Sequence, residues 1–101
     1  MTQYELNELQ HIKELLKRLQ ALQLSIVGEP AISMDIEMGG YKHAVNIHVF
    51  LGDVNDWSYS SDRSLKTFSL ATYKAPRLNE DICNGCIACV NAHRQYSSSI
   101  L

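Results

Sequence analysis

Three cysteines and one histidine stand at regular intervals near the end of the chain: Cys83, Cys86, Cys89 and His93, a C-x2-C-x2-C-x3-H run. Thiolates are soft ligands for zinc or an iron–sulfur cluster, and imidazole is an accepted fourth ligand, so this string could carry metal chemistry. A continuous helix explains the same spacing differently. Ile82, Cys83, Cys86, Cys89, Val90 and His93 recur at intervals of three and four, which places them on one helical face. Free cysteine packs as a small hydrophobe, so such a face fits against a core with no metal at all. The core reading is preferred; zinc or an iron–sulfur cluster on Cys83, Cys86, Cys89 and His93 is the alternative, and no cofactor is the main expectation.

The run also resembles the cluster-binding string of bacterial ferredoxins, C-x2-C-x2-C-x3-C-P, with His93 at the place of the fourth cysteine and Arg94 at that of the proline. That resemblance implies an iron–sulfur module built on these four residues. An irregular loop must wrap a cluster of that kind, whereas the sequence from Asn79 to Tyr96 reads as a helix.

The other histidines are dispersed. His43 and His48 lie five apart in a strand pattern, so they point to opposite faces and cannot share a metal. His43 is expected opposite Ile36 on the core side and His48 opposite Ala31. Asp53, Asn55 and Asp56 open like a calcium loop, but Trp57 and Ser58 fill the fifth and sixth positions and Ser64 stands where the late glutamate belongs. No phosphate-binding glycine loop, nucleophile elbow or assembled triad is present in the sequence, which argues for a non-catalytic protein.

A second constellation suits recognition. The stretch 52–64 contains Trp57 and Tyr59 among Asp53, Asp56 and Asp62. Tryptophan and tyrosine bury much area with few rotors and keep a polar tip, and they are enriched at interface hot spots. With Lys42 and His48 from the polar side of the strands, these residues form the expected partner-binding set.

The elements that position these groups follow from periodicity. Residues 3–24 carry Leu9, Ile12, Leu16 and Leu19 at helical spacing, widened by Leu15 and Leu22, with Thr2 and Glu5 in capping-box position. The stripe predicts core packing; the other use of it is a homodimer through Leu9, Ile12, Leu16 and Leu19. Ile32, Met34, Ile36 and Met38 alternate with polar residues, and Tyr41, Val45, Ile47, Val49 and Leu51 do the same after Gly39-Gly40. This predicts strands 31–38 and 41–51 joined by a two-residue turn that pairs Met38 with Tyr41, Met34 with Val45, Ile32 with Ile47 and Glu37 with Lys42. A third strand is expected over 65–74, ended by Pro76. A helix capped by Asn79 is expected over 80–96, with a frayed tail at 97–101.

The result is an α+β fold in the order α-β-β-β-α: a three-stranded antiparallel sheet with both helices packed on one face, within a single domain of 101 residues. That order resembles the double-stranded-RNA-binding domain, which implies an RNA-binding alternative using Lys66, Lys74 and Arg77. In that family the start of the last helix presents basic residues to phosphates, whereas Asn79-Glu80-Asp81-Ile82-Cys83 is acidic. A net charge of −2 points the same way, because nucleic-acid binding rests on Lys and Arg at phosphates.

Hydrophobic residues at 46% and charged residues at 20% describe an ordinary globular chain, with no apolar run long enough for a membrane and no secretory signal. A cytoplasmic location with reduced thiols is expected. The leading functional expectation is a small interaction module for a protein partner. Its make-up resembles that of accessory proteins of phages and mobile elements that modulate host enzymes.

Overall fold

A computed structural model of the chain describes residues 2–29, 32–39, 43–52 and 64–100. Its elements are α1 (Gln3–Ser25), β1 (Ile32–Met38), β2 (Val45–Leu51), β3 (Ser64–Leu70) and α2 (Pro76–Ile100). This is the α+β arrangement expected from the sequence: a three-stranded antiparallel sheet in the order β1-β2-β3, with two helices against it.

The first helix forms where its cap and stripe place it. Thr2 Oγ1 accepts the Glu5 backbone N–H at 3.1 Å, satisfying one of the donors a helix start leaves unpaired. Ile12, Leu15 and Leu19 are buried, and Leu16 and Leu22 pack at the margin of the same core. Ile12 and Leu19, two members of the seam that could have served a homodimer, are therefore used within this chain's own core. The helix ends at Ile26, and Gly28 takes the left-handed φ of +85° that turns the chain towards β1.

Period-two alternation sets the sheet's faces as expected, but the pairing differs. Met38 pairs with Val45, Ile36 with Ile47, Met34 with Val49 and Ile32 with Leu51. The two-residue turn would have paired Met38 with Tyr41. Instead the Gly39 N–H donates to the Ala44 carbonyl at 2.8 Å, so the connection is longer than Gly39-Gly40 alone. The register slips by an even number of residues, so every side chain keeps its face while each cross-strand partner changes. Glu37 therefore meets Asn46, not Lys42, and His48 lies opposite Asp35, not Ala31. His43 leaves the strand altogether: it is exposed in the turn with a φ of +47°.

The third strand ends at Leu70, short of the expected 74, and the second helix starts earlier than expected. Pro76 occupies its first turn, where a missing N–H costs nothing, and the Asn79 N–H donates to the Ala75 carbonyl at 3.0 Å. Asn79 is thus inside the helix and buried, not at its cap. The helix continues through Ile100, past the expected end at 96.

Ile32, Met34, Val45, Ile47, Val49, Phe68 and Leu70 present one sheet face to Ile12, Leu15 and Leu19 of α1 and to Cys83, Cys86 and Val90 of α2. The helices run parallel: His11 meets Pro76, Leu15 meets Cys83, Arg18 meets Asn84 and Ser25 meets Arg94. Among the described residues no helix is long and apolar enough to cross a membrane.

Candidate functional site

The cysteine run lies on a continuous helix. Cys83 and Cys86 are fully buried and Cys89 is half-buried, all three reduced and on the core-facing side of α2. Burial pushes the Cys83 thiol up from its ordinary value and the Cys86 thiol up to about 12, since an apolar surrounding disfavours the thiolate. The neighbouring thiols add to the effect at Cys86. The Cys83 S–H points at the Leu15 carbonyl of α1 with sulfur and oxygen 3.9 Å apart. His93 donates its Nδ1–H to the Cys89 carbonyl at 2.9 Å, one turn back along the helix. Among the described residues no group of three His, Cys, Asp or Glu side chains is placed to hold a metal ion. As they stand, the sulfurs act as small apolar groups that let α1 and α2 approach.

The second sheet face carries a different order. Neither helix covers it, and it presents Asp35 and Glu37 from β1, Asn46, His48 and Phe50 from β2, and Thr67 and Ser69 from β3. His48 stands at the centre. Its Nε2 is 3.4 Å from Glu37 Oε2 and its Nδ1 is 3.2 Å from Thr67 Oγ1, forming a carboxylate–imidazole–hydroxyl line across all three strands. A carboxylate only accepts, so Nε2 carries the proton in this line and Nδ1 accepts from the threonine hydroxyl when the ring is neutral. The ring also stacks on Phe50, centroids 6.2 Å apart. Next to it the Ser69 hydroxyl donates to Asn46 Oδ1 at 2.6 Å.

Backbone direction explains why these side chains meet. Lys74 Nζ donates to the Ser69 carbonyl at 2.7 Å from outside the sheet, so Ser69 turns its backbone groups away from β2. Alternation then makes Asn46–Ser69 and His48–Thr67 the closely spaced pairs of the antiparallel ladder that lack backbone bonds, where side chains approach most nearly. The same alternation directs the Thr67 N–H and C=O to the free edge of β3.

That edge borders a groove of about 380 Å³ between β3 and the first half of α2. Its walls are Lys66 to Ser69 on the strand, and Lys74, Asp81, Ile82 and Gly85. The Lys66 ammonium sits 5.1 Å from the centre of the Phe68 ring, a cation–π distance. Lys66 and Lys74, two of the three basic residues considered for RNA, thus share one groove with an acidic neighbour, and Arg77 is exposed just beyond.

Of the expected partner-binding set, the structure places His48 on the sheet face away from the two helices. Lys42, Asp53, Asp56, Trp57, Tyr59 and Asp62 lie outside the described residues. Nothing in the sequence singles out Glu37 and Thr67 as partners of His48, because those contacts depend on the register. For Gly85 as a groove residue, a glycine inside a helix is the available signal.

No protein-family model, curated protein or solved structure matches this chain.

Proposed function

We propose that this chain is a small, non-catalytic, cytoplasmic interaction module that docks a protein partner on the sheet face that neither helix covers. The observation that carries the reading is the Glu37–His48–Thr67 line. The line sets a carboxylate, an imidazole and a hydroxyl side by side across the three strands, a compact polar patch for a partner to meet. Phe50 and the edge of the His48 ring add apolar area beside these polar groups, the mixture expected of an interface. Trp57 and Tyr59 supply aromatic anchors of the kind that dominate binding energy. A net charge of −2 and the exposed Asp35 and Glu37 on this face favour a basic protein surface over a phosphate backbone.

The test is site-specific photo-crosslinking from Asn46 in cells, comparing the native chain with one carrying Glu37→Lys and His48→Asp. The expected outcome is a discrete crosslinked partner that disappears in the double variant while the melting temperature is kept. Crosslinking that persists in the double variant would remove the sheet face from the interface. The pair Trp57→Ala and Tyr59→Ala is expected to weaken capture in the same assay.

A further inference from the structure

We propose that the groove between β3 and α2 takes an extended acidic peptide by strand addition. The inference deepens the reading as an interaction module, and rests on it, but uses a surface distinct from the sheet face. Three observations converge.

The first is an edge with no strand partner among the described residues. β3 is the outer strand of the sheet, and its Thr67 N–H and C=O face outwards, one donor and one acceptor spaced to bind the backbone of an added strand. The second is an apolar slot set against that edge, formed by Phe68 and Ile82, with Gly85 opposite the Phe68 ring. Gly85 lies inside α2 with no left-handed backbone to require it, at a position where glycine destabilises a helix. A β-carbon there would enter the slot, 3.8 Å from Phe68 Cε1. The missing side chain keeps the slot open.

The third is charge. Lys66 stands by Phe68 and Lys74 is held at the Ser69 carbonyl, so two cations flank the slot against one carboxylate, Asp81. An extended peptide places alternate side chains on one side. The fitting pattern is therefore acidic-x-apolar-x-acidic, with the apolar residue in the slot and the acids reaching Lys66 and Lys74. A nucleic-acid strand would also meet the two lysines, but its backbone lacks the alternating amide donors and acceptors that pair with the Thr67 N–H and C=O.

The experiment titrates the full chain, followed by amide NMR, with a heptapeptide of sequence Thr-Glu-Val-Leu-Val-Glu-Thr. The controls are the same peptide with both glutamates replaced by lysine and a short single-stranded RNA. Saturable shifts are expected at Thr67, Ser69 and Gly85, with binding at least about tenfold weaker for the lysine peptide. Gly85→Leu, which raises helix propensity and fills the slot, should keep the fold and abolish those shifts. Equal binding of both peptides, shifts confined to other surfaces, or indifference to Gly85→Leu would overturn the proposal. So would salt-dependent RNA binding that displaces the peptide, or self-association through β3 at the same amides. Failure here with the Asn46 crosslink behaving as expected removes the groove alone; no crosslink from the native chain, or one that persists in the double variant, with groove binding retained removes the sheet-face docking alone.

Discussion

The side-chain amide of Asn79 binds both backbone groups of Ala71: Oδ1 accepts the Ala71 N–H at 3.2 Å, and Nδ2 donates to the Ala71 carbonyl at 2.9 Å. A weaker contact from Nδ2 reaches the Lys74 carbonyl at 3.4 Å. Ala71 and Asn79 are both buried, so this amide substitutes for the strand partner that the backbone loses where β3 ends. Asn79→Ala should lower the unfolding free energy by about 1–3 kcal/mol, since it leaves the buried Ala71 N–H without an acceptor, while the Ala71 carbonyl keeps the Lys74 N–H at 3.1 Å. Asn79→Asp keeps an acceptor for the Ala71 N–H but sets a buried carboxylate against the Ala71 carbonyl, so it should also lose stability. Urea denaturation of the two variants checks this; a loss below that of an ordinary surface substitution would show that water takes over the Ala71 groups.

The thiols of α2 should be separable by reactivity. Cys89 is half-buried, whereas Cys83 and Cys86 are sealed in the core with raised pKa values. A thiol reagent at neutral pH is expected to modify Cys89 first, with Cys83 and Cys86 reacting only as the protein unfolds. Mass-resolved labelling against time reads the order directly.

The same burial gives stability a pH dependence. The ordinary thiol value is 9.0 and Cys86 is raised to about 12, so the unfolded chain releases this proton first. The contribution is fully present below pH 9.0 and is lost as pH climbs towards 12, at up to roughly 1.4 kcal/mol per pH unit for one thiol. Cys86→Ala should flatten the decline of stability between those limits. An unchanged slope in that variant would assign the decline to other groups.

Gly85→Ala should stabilise the protein by about 0.5–1 kcal/mol, because alanine restricts the unfolded chain and suits a helix interior. The added β-carbon meets Phe68 Cε1 at 3.8 Å, an ordinary contact, so no strain opposes the gain. A rise in melting temperature is the expected result, and a fall would mean that the helix needs glycine there for its own packing.

Both sheet edges are partly closed by side chains from flanking segments. Gln23 of α1 donates to the Met34 carbonyl at 3.2 Å on the β1 edge, as Lys74 does to Ser69 on the β3 edge. Gln23→Ala should cost about 1 kcal/mol by chemical denaturation and increase aggregation on heating, since an uncovered edge pairs with other chains.

How much of this was legible in the sequence depends on the kind of signal. Alternation at 32–38 and 45–51 identified the faces, and helical spacing put Cys83, Cys86 and Val90 on the buried side of α2. Both are properties of a repeating pattern. Register is not: it follows from turn geometry, and Gly39-Gly40 read as a tight turn concealed a longer connection. That single difference hid the contacts of His48 with Glu37 and Thr67, because cross-strand neighbours shift with the turn. Asn79 was misplaced for a related reason. Asparagine suits a helix cap, but Pro76 suits a first turn equally well, and only the fold shows that the Asn79 amide is occupied with Ala71.

The parallel course of the two helices has a consequence for assembly of the chain. Their contacts join residues 65 to 69 positions apart, from His11 with Pro76 to Ser25 with Arg94. No short hairpin can bring such helices together; the whole sheet lies between them as the returning connection. Closing so long a loop costs entropy before any contact offsets it, and such non-local topologies fold more slowly than helical hairpins of similar size. During synthesis, the strands emerge with one apolar face bare until Cys83, Cys86 and Val90 arrive to cover their share of it. A nascent chain held short of α2 is thus the form most in need of a chaperone.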